Sequence, residues 1–269
     1  MRLALTAAFF LIEFLYRGEG SWGNQARFCP PAIICQLVRS GNARGNLTHP
    51  QCLPLVPMLQ LQQFRKTYQR RLVLHIEDFT LPPAVYWLRG SNGSGKSTLL
   101  KSLAGMIPYQ GDIILEGRWN LRQHAVAYRS AVNFAEAEPI FPTFLTGVEL
   151  IRLFKAAKKA PAQQEAFYLE SMQLSAYIHE PVHTYSSGML KKLALVLAFL
   201  GQPRCILLDE PLTTLDAESL PILYAWITHQ HQQHGTLFLL SSHQAFAGGT
   251  LPPVQELLVA QQTLQHYRA

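Results

Sequence analysis

From Met58 onward, hydrophobic and polar positions fall into short regular patterns. M-L-Q-L-Q-Q-F alternates apolar with polar side chains, the period of a strand with one covered face, and predicts β-structure over Leu59–Phe64. Strand-like patterning resumes over Leu72–Phe79, and a third apolar run, Val85–Leu88, leads into a glycine-rich segment. After the glycines a helix is predicted over Lys96–Ala104, with Gly105 and Pro108 as stop signals. Asp112–Leu115 and Ala125–Phe134 are expected to be further strands. From Pro139 to Thr184 the chain turns helical and more polar, as in E-L-I-R-L-F-K-A-A-K-K. Over Gly188–Leu200, Leu190, Leu193, Ala194 and Leu197 share one helix face, and Gly201 and Pro203 end that helix. Cys205–Leu208 and Thr236–Leu240 are unbroken apolar runs, the mark of parallel strands covered on both faces. The last residues are expected to form at most a small edge hairpin. The sum is an α/β chain whose parallel or mixed core sheet is interrupted by a helical insert over about 139–200.

Residues 1–57 lack this periodicity. Arg2 precedes L-A-L-T-A-A-F-F-L-I, a run broken by Glu13, too short to span a bilayer and lacking a clean small-residue cleavage site after it. The stretch from Gly18 to Pro57 is rich in Gly, Pro, Arg and Asn. Residues 1–57 are therefore expected to be a disordered extension or a misassigned start, with a membrane-associating arm as the competing reading. The folded unit is placed at 58–269.

Composition sharpens this picture. Of the 269 residues 48% are hydrophobic and 15% charged, which suits a packed core rather than disorder. The net charge is +6, but residues 1–57 contribute five arginines, two glutamates and no lysine, half of that excess. The remainder is only mildly basic, which argues against nucleic acid as a partner. Cys29, Cys35, Cys52 and Cys205 have no zinc-like spacing, and a reduced, cytosolic chain is expected.

The chemistry begins at Gly90-Ser91-Asn92-Gly93-Ser94-Gly95-Lys96-Ser97-Thr98, which fits G-x-x-x-x-G-K-[ST] between a predicted strand and a predicted helix. The glycines let backbone N–H groups converge on phosphate oxygens, and the helix N-terminus adds partial positive charge. Lys96 is in position to reach the β- and γ-phosphates, and the Ser97 hydroxyl to ligate Mg²⁺. In C-I-L-L-D-E-P, four apolar residues place Asp209 at the carboxyl end of a strand, as a partner for magnesium, and Glu210 next to it as acceptor of a proton from water. In T-Y-S-S-G-M-L-K-K-L, Ser186, Ser187 and Gly188 open a helix; they form an ordinary N-cap or a second anion site. Two phosphate-binding ends for one nucleotide make sense if two copies meet head to tail.

This set resembles the nucleotide-binding subunit of ATP-binding-cassette (ABC) transporters over essentially residues 58–269. Gly90–Ser97 is similar to the family's Walker A loop, Tyr185–Met189 to its signature motif, Cys205–Asp209 to Walker B with Glu210 as catalytic glutamate, and Leu212–Asp216 to the D-loop. Ser241-Ser242-His243 ends a strand where the family keeps a switch histidine. The resemblance implies a P-loop NTPase (RecA-like) core with an antiparallel β subdomain and a helical insert carrying the signature motif. It further implies an ATPase using ATP and Mg²⁺, with each ATP held between Lys96 of one subunit and Ser186–Gly188 of the other, and His243 contacting the γ-phosphate. The implied partners are an integral membrane permease and a second copy or a related cassette, at the cytoplasmic face of the membrane. Exporter-type subunits, the haem-exporter type among them, share the compact form and the His-Gln of S-S-H-Q. A soluble cassette ATPase acting on ribosomes or DNA is the alternative, although the tandem cassettes, coiled coils or zinc fingers of those proteins are missing from the sequence.

The family pattern is not matched everywhere. Glu136, or else Glu138, stands where the family has a magnesium-contacting glutamine, and Tyr185 and Met189 replace its commoner Leu and Gln. Tyr68 occupies the place of an adenine-stacking aromatic, a role also open to simple edge packing. The H-Q-H-Q-Q-H run of His229–His234 is expected to be a solvated helix end rather than a metal site, and Lys155, Lys158 and Lys159 are expected to face water.

Overall fold

A computed structural model describes residues 57–243 and 251–267. The expectation for the N-terminal extension therefore lies, but for Pro57, outside the described residues. Two sheets organise the chain. The first is antiparallel, in the order β2-β1-β4-β5, with β1 Leu59–Tyr68, β2 Arg71–Leu81, β4 Gln110–Leu115 and β5 Trp119–Asn120. The second, in the order β10-β9-β3-β8-β7-β6, contains β3 Val85–Arg89, β6 Val132–Ala135, β7 Cys205–Asp209, β8 Leu237–Ser241, β9 Val254–Ala260 and β10 Thr263–His266. Strands β6, β7, β8, β3 and β9 run parallel to their neighbours, and β10 closes the edge antiparallel to β9.

The helices are α1 Lys96–Leu103, α2 Ala125–Ala131, α3 Gly147–Lys158, α4 Gln164–Ser171, α5 Ser187–Phe199 and α6 Ser219–His234. Helices α3 to α5 lie between β6 and β7, the expected helical insert. Thr146 starts α3 through a capping box with Glu149, which satisfies two N–H groups at that end.

The unbroken apolar strands divide their side chains between two cores, as a sheet covered on both faces requires. Cys205 and Leu207, with Leu237 and Leu239, belong to the core shared with the antiparallel sheet and α1. Ile206 and Leu208, with Phe238 and Leu240, belong to the core shared with the helical insert and α6. Cys205 is fully buried, and burial pushes its thiol pKa up, so it is an inert core residue.

Two expectations need correction. Ala125–Phe134 is not one strand: α2 takes its first seven residues, and only Val132–Ala135 is extended. Alanines and arginine favour helix, and the helical turn buries Tyr128 and Ala131, three apart, while Val126 points outward. The Tyr128 hydroxyl donates to the Leu103 carbonyl at 2.9 Å, so tertiary packing fixes the choice. The terminal hairpin is also more than an edge ornament. Strand β9 pairs in parallel with β3, burying Leu257 and Val259, and its Val259 carbonyl reaches the glycine loop.

Candidate active site

The loop between β3 and α1 takes positive φ at Gly90, Gly93 and Gly95. Gly90 is the most tightly constrained: a Cβ there would stand 2.5 Å from Ser94 Oγ and 2.6 Å from the Val259 carbonyl. Lys96 is buried, and its ammonium donates to the carbonyls of Gly90 at 2.8 Å and Ser91 at 3.2 Å. Burial lowers its pKa, while Glu210 and Asp209 oppose that shift. The loop thus closes round its own lysine, and both contacts can be exchanged for phosphate oxygens. No side chain caps α1 and no acid stands in its first turn, so its N-terminal N–H groups favour an anion. Ser97 and Thr98 lie in that first turn.

The acidic pair sits at the end of β7. Asp209 is buried and accepts a hydrogen bond from Ser241 Oγ at 2.6 Å; the same oxygen accepts from the Glu210 N–H at 2.9 Å. Asp209 and Ser241 are register partners across β7 and β8, which makes this double contact possible. Glu210 adopts a left-handed φ of 46°, a strained conformation for a side-chain-bearing residue. Its Oε2 accepts from the His243 N–H at 3.3 Å, and His243 Nε2 lies 3.3 Å from Oε1. That spacing falls within ion-pair range without hydrogen-bond alignment, and Oε1 is a buried oxygen with no hydrogen-bond donor. An orphaned carboxylate oxygen beside an imidazole is suited to receive a water.

Ser241 was not singled out by sequence reasoning. Its signal was present: a hydroxyl ending an apolar strand that must neighbour the Asp209 strand. Ser241→Ala should leave two buried polar groups short of a partner, costing about 1–3 kcal/mol of stability. A lower Tm in calorimetry, together with about tenfold slower ATP turnover, is expected; a variant matching the parent in both would refute this role.

At the end of β6, the Glu136 carboxylate forms an ion pair with Lys101 of α1, and the Glu136 carbonyl accepts from Lys191 Nζ at 3.2 Å. The side chain is therefore committed to a lysine rather than standing open. Tyr68 ends β1 half-exposed, with Lys66 Nζ 4.4 Å from its ring centroid, so the ring keeps accessible surface.

Ser186 is the N-cap of α5: its Oγ accepts from the Met189 N–H at 3.3 Å, and Met189 Sδ accepts from the Ser186 N–H at 3.5 Å. Methionine thus fills the place of a capping-box glutamine. Gly188 packs against the segment that follows β7, where an added Cβ would meet the Thr214 carbonyl at 3.1 Å. Lys192 binds Asp216 at 2.6 Å, fastening the same two segments together. Lys96 thus bonds to carbonyls of its own loop, and Ser186 to Met189 of its own helix.

The remaining expectations divide. Among the described residues no group of His, Cys, Asp or Glu could hold a metal through three or more such side chains, and His229–His234 end α6 before the left-handed Gly235. Of the three lysines expected in water, only Lys159 is exposed; Lys155 pairs with Glu165, and Lys158 donates to the carbonyls of Arg129 and Val132. Their long stems let the Lys155 amine fold back onto α4 and the Lys158 amine reach the junction of α2 and β6.

The family model described as ABC transporter matches residues 77–213, spanning the lysine loop, Ser186–Gly188, Asp209 and Glu210. The chain belongs to the ABC transporter family. It is 29% identical over 189 residues to the lantibiotic transport ATP-binding protein SrtF of Streptococcus pyogenes, covering 69% of this chain and 80% of that one. It is 34% identical over 178 residues to the cytochrome c biogenesis ATP-binding export protein CcmA of Pseudomonas putida, covering 64% and 83%. Among solved structures, the ATP-binding subunit of an ABC transporter superposes with TM-score 0.68 at 23% identity, covering 78% of this chain and 90% of that one. A dimeric ATP-binding cassette holding ADP and phosphate after hydrolysis superposes with TM-score 0.63 at 16% identity, covering 79% and 100%. The cassette fold, with its P-loop core, antiparallel subdomain and helical insert, is thus the fold of this chain, and the chain is an ATP-binding, ATP-hydrolysing subunit of a transporter. No helix among the described residues is long and apolar enough to cross a membrane.

Proposed function

We propose that this ABC subunit binds ATP in a head-to-tail pair of cassettes and drives export through a separate membrane-spanning permease, to whose cytoplasmic face it docks. The observation that carries the pairing is the presence on one chain of two helix N-termini suited to an anion, that of α1 behind the glycine loop and that of α5 at Ser186; a solved cassette of the same fold is a dimer. Gly90–Thr98 would hold the phosphates of one ATP, and Ser186, Ser187 and Gly188 would close on the γ-phosphate of the ATP held by the partner cassette, itself a second copy or a related subunit. Tyr68 would stack on the adenine. Export is favoured by the likeness to the cytochrome c biogenesis ATP-binding export protein CcmA, and a transport role by that to the lantibiotic transport protein SrtF.

Mg²⁺ fits the oxygen set at the nucleotide end: the Ser97 hydroxyl and the Asp209 carboxylate are hard ligands, and Asp209 is already oriented by Ser241. When bound, the ion would neutralise charge on the phosphates. Glu136 would join only by leaving Lys101, so it is the weakest of the three assigned ligands. Glu210 would take the proton of the attacking water, His243 would orient that water and touch the γ-phosphate, and Lys96 would stabilise the charge passing to the leaving phosphate.

With Cys29, Cys35, Cys52 and Cys205 replaced by alanine, Ser91→Cys in one preparation and Ser187→Cys in another test the pairing. Mixed with ATP and Mg²⁺, they should cross-link between subunits, and without nucleotide they should not. No nucleotide-dependent cross-link, with the membrane partner present, would sink the head-to-tail arrangement.

A further inference from the structure

Lys191 is a fully buried lysine that the roles above do not use. It lies one turn into α5, four residues beyond Ser187, and its stem runs into the interior rather than to water. Its ammonium donates to three carbonyls: Ala137 at 2.8 Å, Glu136 at 3.2 Å and Asp209 at 3.3 Å. An ammonium has three N–H donors, so this set satisfies it completely.

The three acceptors are not scattered. Glu136 and Ala137 follow β6, and Asp209 ends β7, the carboxyl ends of adjacent parallel strands. Both lead directly into site segments: Asp209 into Glu210, and Glu136 into the ion pair with Lys101 on the helix that begins at the lysine loop. Desolvation lowers the lysine's pKa to about 8, against the pull of Asp209, Glu210, Glu136 and Glu138 around it. An apolar side chain of that length would fill the same volume at no such cost. Persistence of a charge here points to a positional task.

We propose that Lys191 is a positioning residue for ATP hydrolysis: it pins the ends of β6 and β7 to α5, so that the helix tip at Ser186–Gly188 and the acid pair Asp209–Glu210 move as one body. The inference rests on the hydrolytic roles given to Asp209 and Glu210. A closing contact at the helix tip is then transmitted to the proton acceptor through the lysine, in addition to the route through Lys192 and Asp216. The lysine acts through backbone carbonyls.

Lys191→Met keeps the stem and removes the donors, and is compared with the parent and Glu210→Gln in the full chain. Turnover should fall at least about tenfold, with KM for ATP within about threefold, because ATP is held by the loop on α1. Amide hydrogen exchange at residues 136–138 and 210 should accelerate about tenfold, a readout independent of activity. Lys191→Gln, which retains two donors on a shorter chain, should show the same split to a smaller degree and serves if the methionine variant does not fold. Parental turnover and exchange in a folded variant would overturn the proposal, as would a loss of ATP affinity matching the loss of turnover. If instead Glu210→Gln turns over normally, the hydrolytic reading beneath it fails.

Discussion

Replacing Glu210 with Gln is expected to reduce ATP turnover by at least about 100-fold while leaving ATP affinity almost unchanged. A positioned general base contributes about 10²–10⁴ in rate, and the amide cannot take a proton from water at neutral pH. The substitution is nearly isosteric, so the left-handed backbone at Glu210, the N–H bond to Ser241 and the contact with His243 should all survive. In the proposed site nucleotide would be held elsewhere, by the loop closed round Lys96. Steady-state phosphate release and fluorescent-nucleotide binding on the same preparation separate the two effects. If hydrolysis opens the proposed head-to-tail pair, the variant should also accumulate as an ATP-bound dimer, visible by sedimentation. Turnover within about threefold of the parent, a barrier change of less than 1 kcal/mol, would remove Glu210 from its role.

Much of this chemistry was legible because phosphate binding demands particular residues at fixed spacing. A glycine at position 90 is dictated by the approach of Ser94 and Val259, and no other residue fits the gap. Equally, the runs at Cys205–Leu208 and Leu237–Leu240 are apolar throughout because each face of their sheet has its own core. What escaped were relations across the fold. A-V-A-Y-R-S-A carries apolar residues compatible with either period, and only the packing of Tyr128 against Leu103 selects helix. The importance of Ser241 follows from its register opposite Asp209, and that of Lys191 from three carbonyls far from it in sequence. Strand β9 was undervalued for the same reason: V-Q-E-L-L-V-A lacks a continuous apolar run, and its parallel partner β3 is distant in sequence. Lys158 shows the limit of charge patterning, since a lysine beside two others was read as solvated although its amine is spent on backbone carbonyls.

The phosphate loop itself makes a prediction that does not depend on turnover. The Lys96 ammonium bridges the carbonyls of Gly90 and Ser91, and burial already disfavours its charge. ATP held as proposed would replace those neutral acceptors with anionic phosphate oxygens, and hydrogen bonds to charged groups are worth about 1.5–3 kcal/mol each. Losing two of them in Lys96→Met should weaken ATP binding by about 3–4 kcal/mol, roughly 10²–10³-fold. The methionine fills the stem's volume, so the fold should persist, with a modest loss of stability from the two carbonyls left unmatched. Linkage then gives a clean readout: at a ligand concentration of 100 times the parental Kd, ATP should stabilise the parent by about 2.7 kcal/mol and the variant by less than about 0.5 kcal/mol. Thermal unfolding with and without ATP checks it directly. An ATP-induced rise in Tm equal to the parent's would mean that the phosphates are held without the lysine, by the glycine loop and the α1 N-terminus alone.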